Sequence, residues 1–370
     1  MIDPRPASSA AFLDDFLGRH VAAGTFPGAS YLVADDNRVL AEGALGHAVR
    51  DPEMIEATTA TVYDLASLTK PLATALCAVR LAATGRLSLD DRVARHLPEW
   101  RTDDAREGLT LLDLLTHRSG LAAWDPLYLH APDVAGRLER LKALPPVHPP
   151  LLGVTYSCPN YLLLGFLLER VGGAGLMDLF DLLVRRPLGE PEVFYRPPAT
   201  MRRRIAATEQ GNARERQLAG ATGAQYNAWR KGMIWGEVHD NNAHSMGGAA
   251  GNAGLFGTAR GVAIVAGQFL RGGSDFLSDS ERALFAHDFT PGLGQSRAVG
   301  FQIARTPGAS AGIGLSQDSF GHTGFTGTSL WVDPRARRIY VLLTNRVHPR
   351  FRDDDMNAVR REFHALAAGV

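Results

Sequence analysis

The chain of 370 residues is long enough for one large domain or for two lobes that share a core. Hydrophobic residues make up 45% and charged residues 21% of it, and 39 Lys and Arg residues balance 39 Asp and Glu residues. This balance argues against a nucleic-acid partner. No apolar run approaches the roughly 18–20 residues that a membrane helix needs, so we expect no membrane association.

The first residues lack the basic segment and the apolar segment of a secretory signal. The sequence therefore predicts a cytoplasmic protein, or a periplasmic or secreted one if a signal has been removed. The two cysteines, Cys77 and Cys158, are too few to require a disulfide framework, and reduced thiols suit the cytoplasm. Nothing in the composition indicates an oligomeric state.

The N-terminal quarter of the chain alternates between helix and strand patterns. Apolar residues at helical spacing predict an opening helix, and two apolar runs separated by a polar turn predict a β-hairpin. A second apolar face and a glycine stop then predict a buried helix. In chain order these elements are a helix over 10–21, strands over 28–33 and 39–46, and a helix over 67–83.

From about residue 90 to residue 288 the pattern changes to helices joined by long loops. We predict helices over 109–117, 161–171 and 258–270 from their apolar spacing. The segment 201–244 is polar and weakly periodic, so we expect extended loops that cover a site.

The C-terminal part returns to strands and a closing helix. Strands are predicted over 299–304, 328–332 and 338–344, and a helix over 356–367. In the last strand Ile339, Val341 and Leu343 alternate with Tyr340 and Leu342, so both faces are apolar. Such a strand is central in a sheet and covered on both sides.

Strands at both ends and helices between them predict an α/β fold of the α+β type. Residues 1–90 and 289–370 are expected to form an antiparallel sheet flanked by helices, and residues 91–288 a mostly helical second lobe. Ligand sites commonly form in the cleft between two such lobes.

The first motif that carries chemistry is Ser67-Leu68-Thr69-Lys70. Residues three apart lie on one helix face, so the Ser67 hydroxyl and the Lys70 amine can meet. A serine hydroxyl becomes a good nucleophile when a base such as a neutral lysine removes its proton. Lysine occurs only three times in the chain, which makes a chance match less probable. Pro71 fits only near a helix start, so Ser67 is expected at the N-terminus of its helix.

Two later stretches have the order and spacing of further site motifs. Tyr156-Ser157-Cys158-Pro159-Asn160 precedes the predicted helix over 161–171, and His322-Thr323-Gly324-Phe325 precedes a predicted strand. Taken singly, a tyrosine before a helix is usually a packing residue, and a glycine-rich stretch before a strand is usually a turn.

Together the three motifs resemble those of the serine β-lactamase and penicillin-binding protein superfamily. The closer likeness is to class C β-lactamase-like hydrolases, which include esterases and D-amino-acid peptidases. Their signatures are S-x-x-K, then Y-x-N or Y-S-x-x-N, then [KH]-[TS]-G. The stretches 111–121 and 247–258 also resemble segments of this family, and the resemblance runs from about residue 20 to residue 350.

The resemblance implies an acyl-enzyme mechanism without a cofactor or metal. Ser67 would be the acylated nucleophile, and Lys70 and Tyr156 the proton shuttle. The usual pKa values of lysine and tyrosine are both near 10, so one must fall by about 3 units for a base to act at neutral pH. Which of the two is the base stays open. The backbone N–H groups of Ser67 and Phe325 would form the oxyanion hole.

The sequence departs from the family pattern at two positions. Cys158 stands where the triplet has asparagine, and Asn160 either takes over substrate binding or caps the following helix. His322, which with Thr323 and Gly324 would contact the substrate, replaces the commoner lysine. A histidine is mostly neutral at pH 7, so we expect weaker recognition of carboxylates such as those of penicillins.

Two other interpretations, a metal-dependent hydrolase and a non-enzymatic sensor, compete with a serine esterase or amidase. His239, Asp240 and His244 could bind a metal, but their spacing matches no strong ligand motif. A loop that packs near the cleft fits them better, with the aromatic residues Tyr226, Trp229 and Trp235 either lining an acyl pocket or packing within the lobe. A penicillin-binding sensor that keeps its acyl adduct would also retain Ser67.

The substrate stays open because this chemistry serves many ester and amide substrates. The expected partner is a small ester, amide or peptide-like molecule. The stretch 238–243, with the glycine-rich segment after it, resembles a subgroup linked to cell-wall fragment processing. An amidase or D-peptidase acting on peptidoglycan fragments is therefore the alternative to a generic hydrolase.

Overall fold

A computed structural model describes residues 10–36, 38–270, 272 and 275–370. Within them the chain forms a mixed α/β fold with ten strands. In chain order the strands are β1 Gly28–Asp35, β2 Val39–Val49, β3 Ile55–Glu56, β4 Tyr63–Asp64, β5 Val193–Tyr195, β6 Leu255–Gly257, β7 Gln302–Ile303, β8 Phe320–Thr323, β9 Ser329–Asp333 and β10 Arg338–Thr344.

Twelve α-helices occupy the same described residues, and several are a single turn or two. They are α1 Ala11–Ala22, α2 Leu76–Ala83, α3 Val93–His96, α4 Leu111–Leu115, α5 Val134–Ala143, α6 Cys158–Gly172, α7 Leu176–Phe180, α8 Ala213–Ala219, α9 Asn241–Ser245, α10 Ala259–Ala266, α11 Asp279–Ala286 and α12 Met356–Ala367. None of these helices has the length and apolar character needed to cross a membrane.

Seven strands form one antiparallel sheet, in the order β3-β2-β1-β10-β9-β8-β7. Strands from both ends of the chain therefore meet at the centre, where Leu32 of β1 lies opposite Val341 of β10. This confirms the predicted antiparallel sheet. The remaining strands, β4, β6 and β5, form a small second sheet. The domain boundaries near residues 90 and 289 stay a prediction.

Strand β10 is buried on both faces, as its sequence predicts. Ile339, Val341 and Leu343 join the larger hydrophobic core, which also includes the helices of the middle region. Tyr340 and Leu342 face a second core together with residues of α1 and α12. The predicted closing helix is thus one of the two covers of the sheet.

Helix α12 carries a buried histidine that pairs with the chain around it. His364 is fully buried; its Nδ1 lies 2.7 Å from the Ser310 carbonyl oxygen and its Nε2 lies 3.2 Å from Ser329 Oγ. A carbonyl oxygen accepts only, so Nδ1 carries the proton. Burial lowers the pKa of His364 from 6.5 to about 3, because the protonated ring would lose its hydration.

This burial predicts a loss of stability in acid. The unfolded chain binds a proton at His364 below about pH 6.5 and the folded chain does not. The contribution of His364 to the free energy of unfolding is therefore complete above that pH and is lost as the pH falls. Between pH 8 and pH 5 the loss is about 2 kcal/mol. Urea unfolding at both pH values should show a smaller pH dependence for His364→Gln than for the wild type. The exposed His287→Gln is the matched control, and an unchanged pH dependence in His364→Gln would refute the assignment.

Two predicted segments differ from the structure. The strand expected over 299–304 is reduced to β7, because only Gln302 and Ile303 pair with β8. The segment 201–244 contains α8, α9 and two short 3-10 turns rather than extended loops alone. Helices of five to seven residues complete too few turns to produce a clear apolar period.

The helix predicted over 67–83 is one helical segment of changing geometry. It begins as the 3-10 turn Ala66–Leu68, continues as the π-helical stretch Lys70–Ala75 and becomes regular only in α2. Pro71 has no N–H to donate within this segment, so it disrupts an α-helical ladder. The helix and the position of Pro71 near its start agree with the sequence prediction, whereas the 3-10 and π-helical stretches were not predicted.

Candidate active site

Ser67 lies in the 3-10 turn that directly follows strand β4. The preceding residue, Ala66, has a φ of 46°, which is uncommon for a residue other than glycine. Its N–H donates to Asp64 Oδ1 at 2.8 Å, so the last residue of β4 stabilises the bend. Strained backbone of this kind persists where the surrounding structure holds it, often at active sites. The bend fixes the orientation of Ser67 within the turn.

Lys70 points its amine at the nucleophile from a fully buried position. Its Nζ donates to Ser67 Oγ at 2.9 Å and to the Asn252 carbonyl oxygen at 2.9 Å. The glycine-rich loop brings that carbonyl close because Gly251 lies against helix α6, where a Cβ atom would collide with the Tyr161 carbonyl group. The familiar stretch 247–258 thus has a structural role in holding Lys70.

Tyr156 lies beside the Ser67–Lys70 pair and is surrounded by nitrogen-bearing side chains. Lys70 Nζ is 5.1 Å from the centroid of its ring, and the Arg297 guanidinium carbon is 5.8 Å away. The rings of His117 and His322 have centroids 4.8 and 5.6 Å from that of Tyr156. The three residues predicted to act first in catalysis are therefore together in space.

Burial and mutual charge determine the protonation of this group. Burial alone lowers the pKa of the Lys70 ammonium. Negative charge on Cys158 or Tyr156 would stabilise the protonated amine, and the pKa of Lys70 is raised overall. Burial raises the pKa of the Tyr156 phenol, and the Lys70 cation only partly opposes this. The resting pair is an ammonium beside a neutral phenol. Neither pKa is lowered toward 7, so these directions do not identify which of the two is the base.

The third motif, His322-Thr323-Gly324, lies at the end of strand β8. Gly324 packs so closely on the nucleophile turn that a Cβ atom would collide with Thr328 Oγ1 and lie 2.7 Å from the Leu65 carbonyl oxygen. His322 Nδ1 lies 2.8 Å from the Thr323 carbonyl oxygen. Nδ1 is thus the protonated nitrogen, and the buried Nε2 has no partner among the described residues.

His322 is a neutral ring in this site. Burial lowers its pKa well below 6.5, and the nearby cations Lys70 and Arg297 lower it further. This agrees with the expectation that His322 carries no charge at neutral pH. Its unprotonated Nε2 offers the cleft a hydrogen-bond acceptor instead of a cation.

Phe325 follows the motif and lines the same cavity as Ser67. Among the described residues, neither the Ser67 N–H nor the Phe325 N–H donates to a protein acceptor. The Phe325 carbonyl oxygen accepts from Arg346 Nε at 2.8 Å, which holds the peptide in place. Two unpaired amides at a nucleophile are suited to stabilise an oxyanion.

A cavity of about 370 Å³ opens over these groups. Ser67, Tyr156, His322, Thr323, Gly324 and Phe325 line it, which brings most of the sequence-predicted residues to one surface. The cavity also contains the side chains of Arg297, Arg346 and Arg360. Sequence reasoning missed these arginines because arginine is common in this chain and none lies within a recognisable motif.

Asn160 does not line the cavity and makes no contact with the Ser67–Lys70 pair among the hydrogen bonds of its side chain. It is fully buried; Ser119 Oγ donates to its Oδ1 at 2.5 Å, and its Nδ2 donates to the Leu114 carbonyl oxygen at 3.2 Å. Helix α6 is capped instead by Ser157, whose Oγ accepts from the Asn160 N–H. These bonds join α6 to the 111–121 stretch, so the geometry gives Asn160 neither the substrate-binding nor the capping role.

The residues of the competing metal interpretation diverge. His239 Nε2 lies 2.9 Å from Glu209 Oε2, its ring stacks on Phe325, and His244 Nδ1 lies 3.4 Å from a different carboxylate, that of Glu237. No cluster of three or more His, Cys, Asp or Glu residues suited to a metal occurs in 10–36, 38–270, 272 and 275–370.

The aromatic candidates do not border the Ser67 cavity. Tyr226 and Trp229 pack on each other and on Tyr128, with ring centroids 5.0 to 5.7 Å apart. Trp235 is buried and donates to the Ile205 carbonyl oxygen. Packing within the lobe accounts for their contacts.

Comparison with known proteins identifies the family. The sequence model of the Beta-lactamase family matches residues 13–365. A putative D-alanyl-D-alanine carboxypeptidase of Escherichia coli K12 is 32% identical, over 93% of this chain and 84% of that protein. The chain therefore belongs to the Beta-lactamase family and is a serine hydrolase.

Solved structures agree on the fold. A penicillin-binding protein homologue from Caulobacter crescentus has a TM-score of 0.74 at 21% identity and covers all of this chain and 98% of its own. EstCE1, described as a hydrolase with promiscuous acyltransferase activity, has a TM-score of 0.73 at 22% identity, over 97% and 98% of the two chains. At these identities the likeness concerns the fold alone.

Proposed function

We propose that this hydrolase is a carboxypeptidase, which removes a terminal residue bearing a free carboxylate from a peptide, with D-alanine as the first leaving group to test. Arg297 carries this proposal. It lines the same cavity as Ser67 and lies beside Tyr156. A guanidinium is the side chain best suited to grip a carboxylate through two parallel hydrogen bonds.

Arg297 has no acidic partner among the described residues. The one hydrogen bond that its guanidinium makes to the described residues goes from Nη2 to Gln295 Oε1 at 2.6 Å, and its Nε is buried without a partner. Only 6% of the residue is exposed. Burial lowers its pKa to about 10, so it stays charged at neutral pH. Because a buried, unpaired cation is unfavourable, a substrate carboxylate supplies the missing partner.

The proposed reaction follows from the positions of the other groups. Ser67 Oγ attacks the carbonyl carbon of the scissile amide, and its proton passes to the Lys70–Tyr156 pair. The amides of Ser67 and Phe325 stabilise the oxyanion. The pair returns a proton to the leaving amine as the C–N bond breaks, and water then hydrolyses the acyl ester. Before attack, the resting pair has to release one proton.

The relative in Escherichia coli supports this substrate class. It is described as a putative D-alanyl-D-alanine carboxypeptidase, and the match covers 93% of this chain and 84% of that protein. A generic esterase and a non-turnover penicillin sensor are the other outcomes that the assay distinguishes. The cytoplasmic location, the small-molecule partner and the absence of nucleic-acid or membrane partners stay predictions.

The test uses diacetyl-L-lysyl-D-alanyl-D-alanine and the same peptide ending in D-alaninamide, with released amine as the readout. We expect hydrolysis of the acid and at least about tenfold slower hydrolysis of the amide. In Arg297→Gln the KM for the acid should rise by about ten- to a hundredfold and the preference for it should disappear.

Arg95→Gln, an exposed position in the helical lobe, is the charge-matched control. Turnover of p-nitrophenyl butyrate without cleavage of the peptide would identify an esterase. A single lasting penicillin adduct without any turnover would identify a sensor.

A further inference from the structure

The Ser67 cavity has a second cationic end, beside Phe325. Arg346 and Arg360 line it there, and Arg297 lies at the Tyr156 side. The lining contains no aspartate or glutamate side chain among the described residues. One terminal carboxylate would satisfy Arg297 and leave this second end without an anion.

Arg360 is committed to the protein rather than to a ligand. It is 5% exposed and donates through Nη2 to the carbonyl oxygens of Gly324 and Thr328, at 2.7 and 3.0 Å, and through Nη1 to Asn357 Oδ1 at 2.9 Å. These bonds hold the turn that follows β8. Arg360 is therefore a positioning residue for the Phe325 amide.

Arg346 keeps the outer part of its guanidinium available. Within its side chain only Nε donates to the described residues, to the Phe325 carbonyl oxygen, and no carboxylate among them lies within ion-pair distance of the guanidinium. Its guanidinium carbon is 5.3 Å from the ring centroid of Phe325 and 5.0 Å from that of Phe351, so two aromatic faces orient it. Its two terminal nitrogens are free to bind an anion at the cavity.

The nearby acidic segment does not neutralise this group by direct pairing. Asp354 pairs with Arg352, and Asp355 pairs with Arg361 and caps α12. Burial favours loss of the Arg346 charge, whereas Asp353 and Asp354 act at longer range to retain it. The Arg346 guanidinium is thus a cation of fixed orientation whose terminal nitrogens lack hydrogen-bond partners among the described residues.

We infer that the leaving residue of the substrate carries a second anionic group, an acidic side chain such as that of glutamate, which binds Arg346 while its terminal carboxylate binds Arg297. This inference rests on the proposed carboxypeptidase function and narrows its substrate class. Arg297 and Arg346 line the same cavity as Ser67. The part of the substrate that occupies this cavity therefore carries both anionic groups.

Two isosteric peptides test the second anion. Diacetyl-L-lysyl-D-alanyl-D-glutamate and the corresponding D-glutamine peptide differ only in the charge of the leaving side chain. In the wild type, kcat/KM should be at least about tenfold higher for the glutamate peptide, through KM. In Arg346→Gln the ratio should fall to about one, and in Arg95→Gln it should be unchanged. Because the ratio compares two peptides on the same variant, any effect of Arg346 on the backbone of Phe325 affects both peptides and cancels.

Equal kcat/KM for the two peptides in the wild type would overturn the inference and leave the carboxypeptidase proposal standing if both are cleaved. A glutamate preference that survives in Arg346→Gln would also overturn it, since another group would then bind the side chain. Failure to cleave these peptides and the D-alanine peptide alike, while Ser67 still reacts with a fluorophosphonate, would refute the carboxypeptidase proposal itself.

Discussion

Replacing Ser67 with alanine is expected to abolish acylation and to reduce hydrolysis by at least about 10⁴-fold. The hydroxyl is the acceptor of the Lys70 hydrogen bond and lines the cavity, so no other group of the cleft occupies its place. Intact-protein mass spectrometry after treatment with a fluorophosphonate and with a panel of β-lactams provides the readout. The wild type should gain the mass of one adduct and Ser67→Ala none.

An exposed serine supplies the matched control for this experiment. Ser88→Ala lies outside the cavity and should label and hydrolyse as the wild type does. An adduct of the same mass on Ser67→Ala would mean that another residue is the nucleophile. The absence of any adduct on the wild type would contradict the acyl-enzyme mechanism.

Lys70→Met is expected to reduce kcat/KM by about 10³- to 10⁴-fold while the fold persists. Methionine fills a similar buried volume but can neither accept the Ser67 proton nor donate to the Asn252 carbonyl oxygen. Removing a fully buried cation without a carboxylate partner also relieves its desolvation. We therefore expect an unchanged or higher melting temperature together with the loss of activity, measured on the same preparation. Lys142→Met, which removes only a surface ion pair, is the control.

The same site predicts the direction of the pH dependence. The pKa values of both Lys70 and Tyr156 are raised, so the form of the pair that has lost one proton is scarce at neutral pH and increases as the pH rises. The wild-type kcat/KM should accordingly increase from pH 6 to pH 9, without a separate histidine step from His322. A wild-type rate that is flat across this range, or a Lys70→Met variant that keeps its activity, would contradict the proposed shuttle.

Local spacing was sufficient to predict the contact between the Ser67 hydroxyl and the Lys70 amine. Ser67 and Lys70 meet because they are one turn apart, and the distance between them depends little on the rest of the chain. The burial of β10 on both faces was equally readable, because side chains alternate strictly along a strand. The 3-10 and π-helical geometry after Ala66 was not readable, because apolar spacing predicts a helix without distinguishing among helix types.

The sequence by itself predicted the antiparallel sheet from the strand periodicity at both ends of the chain, and it determined the three motifs, whose resemblance to a known family implied the chemical class of the reaction. Only the tertiary structure decided which side chains share the cavity. It placed Asn160 in a buried hydrogen-bond network and brought Arg297 and Arg346 from separate connections into the cavity that Ser67 lines. Long-range packing sets such distances, and no pattern within one segment records them. The unpaired charges found there, rather than the motifs, are what define the substrate to be tested.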